Sequence, residues 1–158
     1  MNSNYIFACA FGIGVVAGLR SLTAPAAVSW AVFLGWINLK GSPLAFMGSI
    51  AAVATFSLLA LGELIADLLP GIPKRIAPAP LLARILTGGL CGACLCVALN
   101  QPSLFIGATL GAIGAIIGAF AGYELRRRLV SSLNIKDIFV ALFEDLIALG
   151  LALFLVSR

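Results

Sequence analysis

The chain has 158 residues, a formal net charge of +4 and a hydrophobic fraction of 62%, with a mean hydropathy of +1.15. Soluble domains are about 45–50% apolar, so this composition excludes an ordinary water-soluble core and points to an all-α integral membrane protein. With no histidine in the sequence, His-based catalytic triads and His-ligated zinc or haem are excluded as well.

Loop signals divide the chain into apolar segments at 5–19, 24–37, 44–69, 80–99, 103–125 and 138–156. That suits about six crossings at roughly 20 residues each, in one transmembrane helical domain over 1–158. These runs have no period of two, and a segment that spans lipid must be a helix or part of a closed barrel. Segment 5–19 follows a start without positive charge and has no small-residue cleavage site, so it reads as mature protein rather than signal peptide. The first break is Arg20-Ser21-Leu22-Thr23-Ala24-Pro25, where Thr23 is the predicted cap of a helix whose first turn holds Pro25. Segments 5–19 and 24–37 are short for spans. They are either tilted crossings or a re-entrant hairpin, and the chain returns to the same side in both cases.

After the turn Asn38–Pro43 comes segment 44–69, which carries Glu63 and Asp67 four residues apart on one helix face. Pro70 to Pro80 is a proline-rich loop holding Lys74 and Arg75. These bases either obey the topology rule alone or hold anionic lipid head groups. Segment 80–99 carries Arg84 and the string Cys91-Gly92-Ala93-Cys94. Without a redox-fold context, these cysteines, with Cys9 and Cys96, read as small apolar packing residues.

Beyond the polar turn Asn100–Pro102, segment 103–125 places Gly107, Gly111, Gly114, Gly118 and Gly122 on one face. Such a face lets a neighbouring backbone approach closely, within the subunit or in a dimer; the sharper alternative is a smooth surface along which a helix or substrate slides. Glu124 closes this segment, and Arg126 to Asp137 is predicted to be a basic loop. The last segment holds the adjacent acids Glu144 and Asp145.

Lysine and arginine set the orientation. With alternating crossings, Arg20, Lys74, Arg75, Arg84, Arg126, Arg127, Arg128 and Lys136 share one side, and Lys40 and Arg158 the other. Positive residues stay cytoplasmic, so both termini are expected on the periplasmic or extracellular side of a bacterial inner membrane. This rule accounts for the +4 charge without nucleic-acid binding. A weak internal repeat is also visible: Arg20-Ser-Leu-Thr23 echoes Arg84-Ile-Leu-Thr87, and Gly62-Glu63-Leu64 echoes Gly122-Tyr-Glu124-Leu125. Each unit would be a helical hairpin with an arginine near its start and a glutamate near its end.

The acids are the sharpest chemical signal. An ionised side chain at the bilayer centre costs ~2.5–3.5 kcal/mol on insertion scales, so Glu63, Asp67, Glu144 and Asp145 require partners, water or protons. Arg20 and Arg84 are expected at similar depth and within reach of these acids in a packed bundle. The expectation is a polar pocket opening to the cytoplasmic half of the membrane; the alternative is a set of buried pairs that fix helix register.

The strings Gly18-Leu-Arg-Ser-Leu-Thr-Ala-Pro-Ala-Ala27, Glu63 to Asp67 with the following Leu-Pro, the Lys-Arg-x-Ala-Pro-x-Pro loop and the final Phe-Glu-Asp145 resemble a family of small bacterial membrane proteins, domain of unknown function 4126. The resemblance covers nearly the whole chain. It implies a helical fold in a bacterial membrane and transfers no activity.

Three functions follow as expectations. In the first, a small transporter or channel, Glu63, Asp67, Glu144 and Asp145 bind a cation or proton, while Arg20 and Arg84 counter them or hold an anionic group. In the second, a lipid-phosphate enzyme, carboxylates hold Mg²⁺ and arginines grip phosphate. In the third, an assembly or lipid-organising protein without turnover, the charges only hold helices together. No resident cofactor is implied; the expected partners are membrane lipids, a small ion or solute, and a second copy of the chain.

Overall fold

The computed structural model describes residues 3–66, 77–99, 104–133 and 137–157, and among these it is all helical, with no strand. The helices are α1 (Ser3–Leu19), α2 (Thr23–Phe33), α3 (Ile50–Ala66), α4 (Pro78–Ala98), α5 (Leu104–Leu133) and α6 (Asp137–Val156).

The break between α1 and α2 follows from Pro25. A proline in the first turn of α2 lacks the N–H that a continuous helix would donate to Ser21, and its ring would clash with that carbonyl. Thr23, the predicted cap, lies one residue inside α2; the cap position is Leu22, which makes no side-chain capping bond of its own. The helix also stops at Phe33 rather than at residue 37. Gly35 adopts φ +78°, Gly35 donates to the Val32 carbonyl, and Trp36 donates to Ala31 at 2.8 Å. That pair of bonds is the Schellman closure, which needs a left-handed residue at Gly35. After a short 3-10 turn (Ala45–Gly48), Ser49 Oγ accepts the Ala52 N–H at 3.1 Å. This cap starts α3 at Ile50, not at residue 44.

The basic stretch after Glu124, expected as a loop, continues α5 to Leu133. Glu124 Oε1 accepts Arg128 Nε–H at 2.8 Å, and its Oε2 lies 3.8 Å from Arg127 Nη1. Pairs three and four residues apart support a helix that apolar periodicity alone does not predict.

Helices α1, α4 and α5 form the tightest part of the body. Gly14 and Gly18 of α1 face Gly111, Ala115 and Gly118 of α5; Gly88 and Gly92 of α4 face Gly111 and Gly107. A Cβ added at Gly14, Gly92, Gly111, Gly114 or Gly118 would come within 3.0 Å of neighbouring backbone. Contact this close maximises dispersion between the helices, which small residues at their interface permit. The glycines of α5 thus pack against two helices of the same chain.

Contacts also give the directions. Arg84 meets Gly18 and Leu19 while Cys96 packs with Ile6 and Ala10, so α4 runs antiparallel to α1. Asp145 meets Arg20 and Leu155 lies over Gly12, so α6 does too. Glu63 meets Leu22, Ser57 meets Trp30 and Gly48 lies against Val32, making α2 and α3 an antiparallel hairpin. The helix directions alternate along the chain.

The core holds Ile13, Val16, Val28, Met47, Cys91 and Cys94, while large apolar side chains such as Ile50, Leu58, Phe105, Ile117, Phe143, Leu146 and Phe154 stand exposed. Two helical stretches, Pro78–Ala98 and Leu104–Leu129, are long and apolar enough to cross a membrane; α1, α2 and α3 are apolar but shorter.

Candidate functional site at the helix break

The ends of α1 and α2 meet at Arg20–Leu22, and a broken helix leaves carbonyls without donors on one side and N–H groups without acceptors on the other. Side chains from the surrounding helices meet both needs. Arg84 of α4 donates from Nη1 to the carbonyls of Gly18 at 2.6 Å and Leu19 at 2.8 Å. It thereby closes α1 and puts a cation at the negative end of that helix. Glu63 of α3 serves the other side. Its Oε1 accepts the Ser21 N–H at 2.9 Å and the Ser21 hydroxyl at 2.7 Å, and its Oε2 accepts the Leu22 N–H at 2.9 Å. The carboxylate therefore sits at the positive end of α2 and takes over the capping expected of Thr23.

Arg20 lies between these groups. Its Nε and Nη2 engage Asp145 of α6, and its Nη1 points at the Glu63 main-chain carbonyl, 3.4 Å away. Arg84 Nη2 stands 3.8 Å from Glu63 Oε1. Arg20 is 1% exposed and Arg84 6%. The Glu63 and Asp145 side chains are 11% and 22% exposed, so the junction reaches the surface through its acids.

Of the residues singled out from sequence, the structure brings Arg20, Glu63, Arg84 and Asp145 into one network. Glu144 is half-buried beside Asp145 on α6. Glu124 lies apart: its side chain, 43% exposed, pairs with Arg127 and Arg128 on the last turns of α5. Gly107, Gly111, Gly114 and Gly118 line the helix contacts described above, and Gly122 is buried farther along the same helix. Asp67, Lys74 and Arg75 lie outside the described residues. The cysteines Cys9, Cys91, Cys94 and Cys96 are buried and free of disulfides.

Sequence reasoning missed Ser21 and the main-chain groups of Gly18, Leu19 and Leu22. The available signal was the apolar helix interrupted at Arg20 with Pro25 close behind, which guarantees backbone groups in need of partners.

An open cleft of about 650 Å³ is lined by Val32, Phe33, Asn38, Lys40, Gly48 and Ser49, among others. It lies at the far end of the α2–α3 hairpin, and no junction residue lines it.

Fold and site together define a small all-helical protein with a buried arginine–carboxylate junction at a helix break. The chain belongs to the family described as Domain of unknown function (DUF4126), which matches residues 7–157. No curated protein and no solved structure matches the chain.

Proposed function

We propose that this protein is a multi-pass component of the bacterial inner membrane that moves an ion or small solute, with the Arg20–Asp145 and Glu63–Arg84 pairs as its site. The observation that carries this reading is the burial of two guanidiniums and their carboxylates at a helix break, within a body whose outside is largely apolar. Charged groups at membrane depth mark ion and solute paths by default. Interrupted helices supply main-chain donors and acceptors at such sites in transporters, and here both kinds of helix end meet at one point.

The orientation reading has the same support. Among the described residues, Arg20, Arg84 and Arg126 to Arg128 lie toward one end of the bundle and Lys40 toward the other, so positive charge on the cytoplasmic side puts both termini outside. The α2–α3 and α4–α5 hairpins each leave and return to the arginine end, as the two repeat units would. A homodimer in the lipid plane belongs to the same reading, with exposed apolar faces available to a second copy.

The test is flux. Purified protein in liposomes loaded with a pH-sensitive dye would be exposed to gradients of sodium, potassium, acetate or phosphate. At least one gradient should drive flux above that of empty vesicles, and Asp145→Asn should abolish it while the protein stays folded. Wild-type vesicles indistinguishable from empty ones under every gradient would overturn the reading.

A second reading has its own support, because the acids and arginines of the junction cap helix ends or pair within the chain. Buried pairs can serve to specify packing, and a lipid-organising protein would need nothing more. Absent flux together with a destabilised Asp145→Asn variant would favour it. The lipid-phosphate enzyme stands third: Glu63 and Asp145 face guanidinium and N–H donors, whereas Mg²⁺ needs oxygens converging on one open point.

A further inference from the structure

We propose that the cleft at the far end of the α2–α3 hairpin is a seat for an anionic phospholipid, with Lys40 on its phosphate and apolar side chains on its acyl chains. The inference rests on the membrane placement of the reading above and is independent of transport.

The walls of the cleft are held by the core and by local hydrogen bonds. Ile37, Leu39 and Met47 are buried, Gly41 turns the chain at φ +82°, and Ser42 Oγ donates to the Leu39 carbonyl at 2.7 Å. The enclosed volume of about 650 Å³ falls in the ~300–1,000 Å³ range of small-ligand sites. Val32, Phe33 and Ile37 supply its apolar lining, and Asn38, Lys40 and Ser49 its polar groups. Asn38 Oδ1 accepts the Lys40 N–H at 3.0 Å, and Ser49 Oγ accepts the Ala52 N–H at 3.1 Å. The amide hydrogens of Asn38 and the hydroxyl hydrogen of Ser49 remain to donate. Together with an ammonium, such donors suit phosphate oxygens, and the apolar lining suits hydrocarbon.

Aromatic residues put the cleft at head-group level. Both tryptophans of the chain, Trp30 and Trp36, stand exposed at this end, together with Tyr5, Phe33 and Phe46. Tryptophan and tyrosine favour the boundary of bilayer and water, where the ring meets lipid and the polar edge stays wet.

Charge selects the lipid. Among the described residues, Lys40 is the one cation toward this end. The acids Glu63, Glu124, Asp137, Glu144 and Asp145 all lie in the halves of their helices nearer the arginine end. No described acid therefore competes for Lys40, and a net negative head group is favoured over a zwitterionic one.

Because both tryptophans stand at this end, their fluorescence reads the lipid that sits there. The protein would be reconstituted in phosphatidylcholine vesicles in which a small fixed fraction of lipid carries brominated chains. The brominated lipid is phosphatidylglycerol in one series and phosphatidylcholine in the other. Brominated phosphatidylglycerol should quench more strongly at equal fraction. Lys40→Gln should lower that preference roughly fivefold, the weight of one lysine at an anionic membrane surface. Lys40→Arg should keep it, and so should Arg127→Gln at the opposite end.

Equal quenching by the two lipids would overturn the seat and leave the membrane placement standing, as would a preference that survives intact in Lys40→Gln. No quenching by either lipid would sink the placement and the seat together. Lys40 is exposed, so its variants should unfold at the wild-type midpoint; should Lys40→Gln not fold, the wild-type comparison of the two lipids decides. Absence of flux in the liposome assay would leave the seat intact and sink transport alone.

Discussion

The Glu63 carboxylate accepts the Leu22 N–H at 2.9 Å from 41 residues away along the chain. The first turn of α2 is thus closed by a side chain of α3, just as the last turn of α1 is closed by Arg84 of α4. The helix break is held by two opposite charges, each at the helix end whose dipole favours it.

Glu63→Ala should remove the cap of α2 and the carboxylate that stands 3.8 Å from Arg84 Nη2. Losing one partner of a buried pair costs about 3 kcal/mol or more, and losing a cap adds about 1 kcal/mol. Glu63→Gln keeps an oxygen for Ser21 or Leu22 and should lose roughly half as much, since it sacrifices charge rather than every bond. Thermal unfolding in detergent checks the order; equal midpoints for Glu63→Ala and wild type would show that the cap carries no stability.

Arg20→Ala and Asp145→Ala should each destabilise the fold, with Arg20→Ala the milder change, because Asp145 retains contact with water while Arg20 is 1% exposed. The double variant should lose less than the two singles combined, by roughly 1–3 kcal/mol, as expected for residues in direct contact. A double-mutant cycle of unfolding free energies measures this coupling, and additive losses would contradict the pairing.

Glycine position decides the sign of a Gly→Ala change. At Gly111 the new methyl would stand within 3.0 Å of the Gly88 backbone, forcing α4 and α5 apart at a cost of roughly 1–3 kcal/mol. At Gly62 and Gly150 nothing lies within 4 Å, and alanine should stabilise each helix by about 0.5–1 kcal/mol through its backbone entropy. Unfolding midpoints of the three variants should fall on opposite sides of wild type.

Single cysteines at Ser157 and Lys40 should react with a membrane-impermeant thiol reagent added to whole cells, and one at Arg127 only after permeabilisation. Lys40, Arg127 and Ser157 are exposed, and the native cysteines are buried, which keeps background labelling low. Labelling of Arg127→Cys alone in intact cells would invert the orientation.

Long apolar runs without a period of two make the helices visible in the sequence, because they are too long for strands and lack the alternation of a half-buried one. The glycine spacing of segment 103–125 was equally legible, and so was the need of the buried acids for arginine partners. Helix ends were less so. Residues 34–37 are as apolar as those before them, and only the left-handed turn at Gly35 ends α2; conversely, charged Arg127 and Arg128 continue α5 through pairs with Glu124 that hydropathy does not register.

What the sequence by itself determined was the inventory: an all-helical chain, a break at Arg20–Pro25, a glycine face, and a few acids and arginines that must find partners in an apolar setting. Which acid meets which arginine was decided only by the tertiary structure. Arg20 pairs with Asp145, Arg84 reaches back to the end of α1, and Glu63 displaces Thr23 as the cap of α2. Periodicity and capping signals act over a few residues along one helix, whereas these partners are joined by the register at which separate helices pack, and no local signal encodes that register.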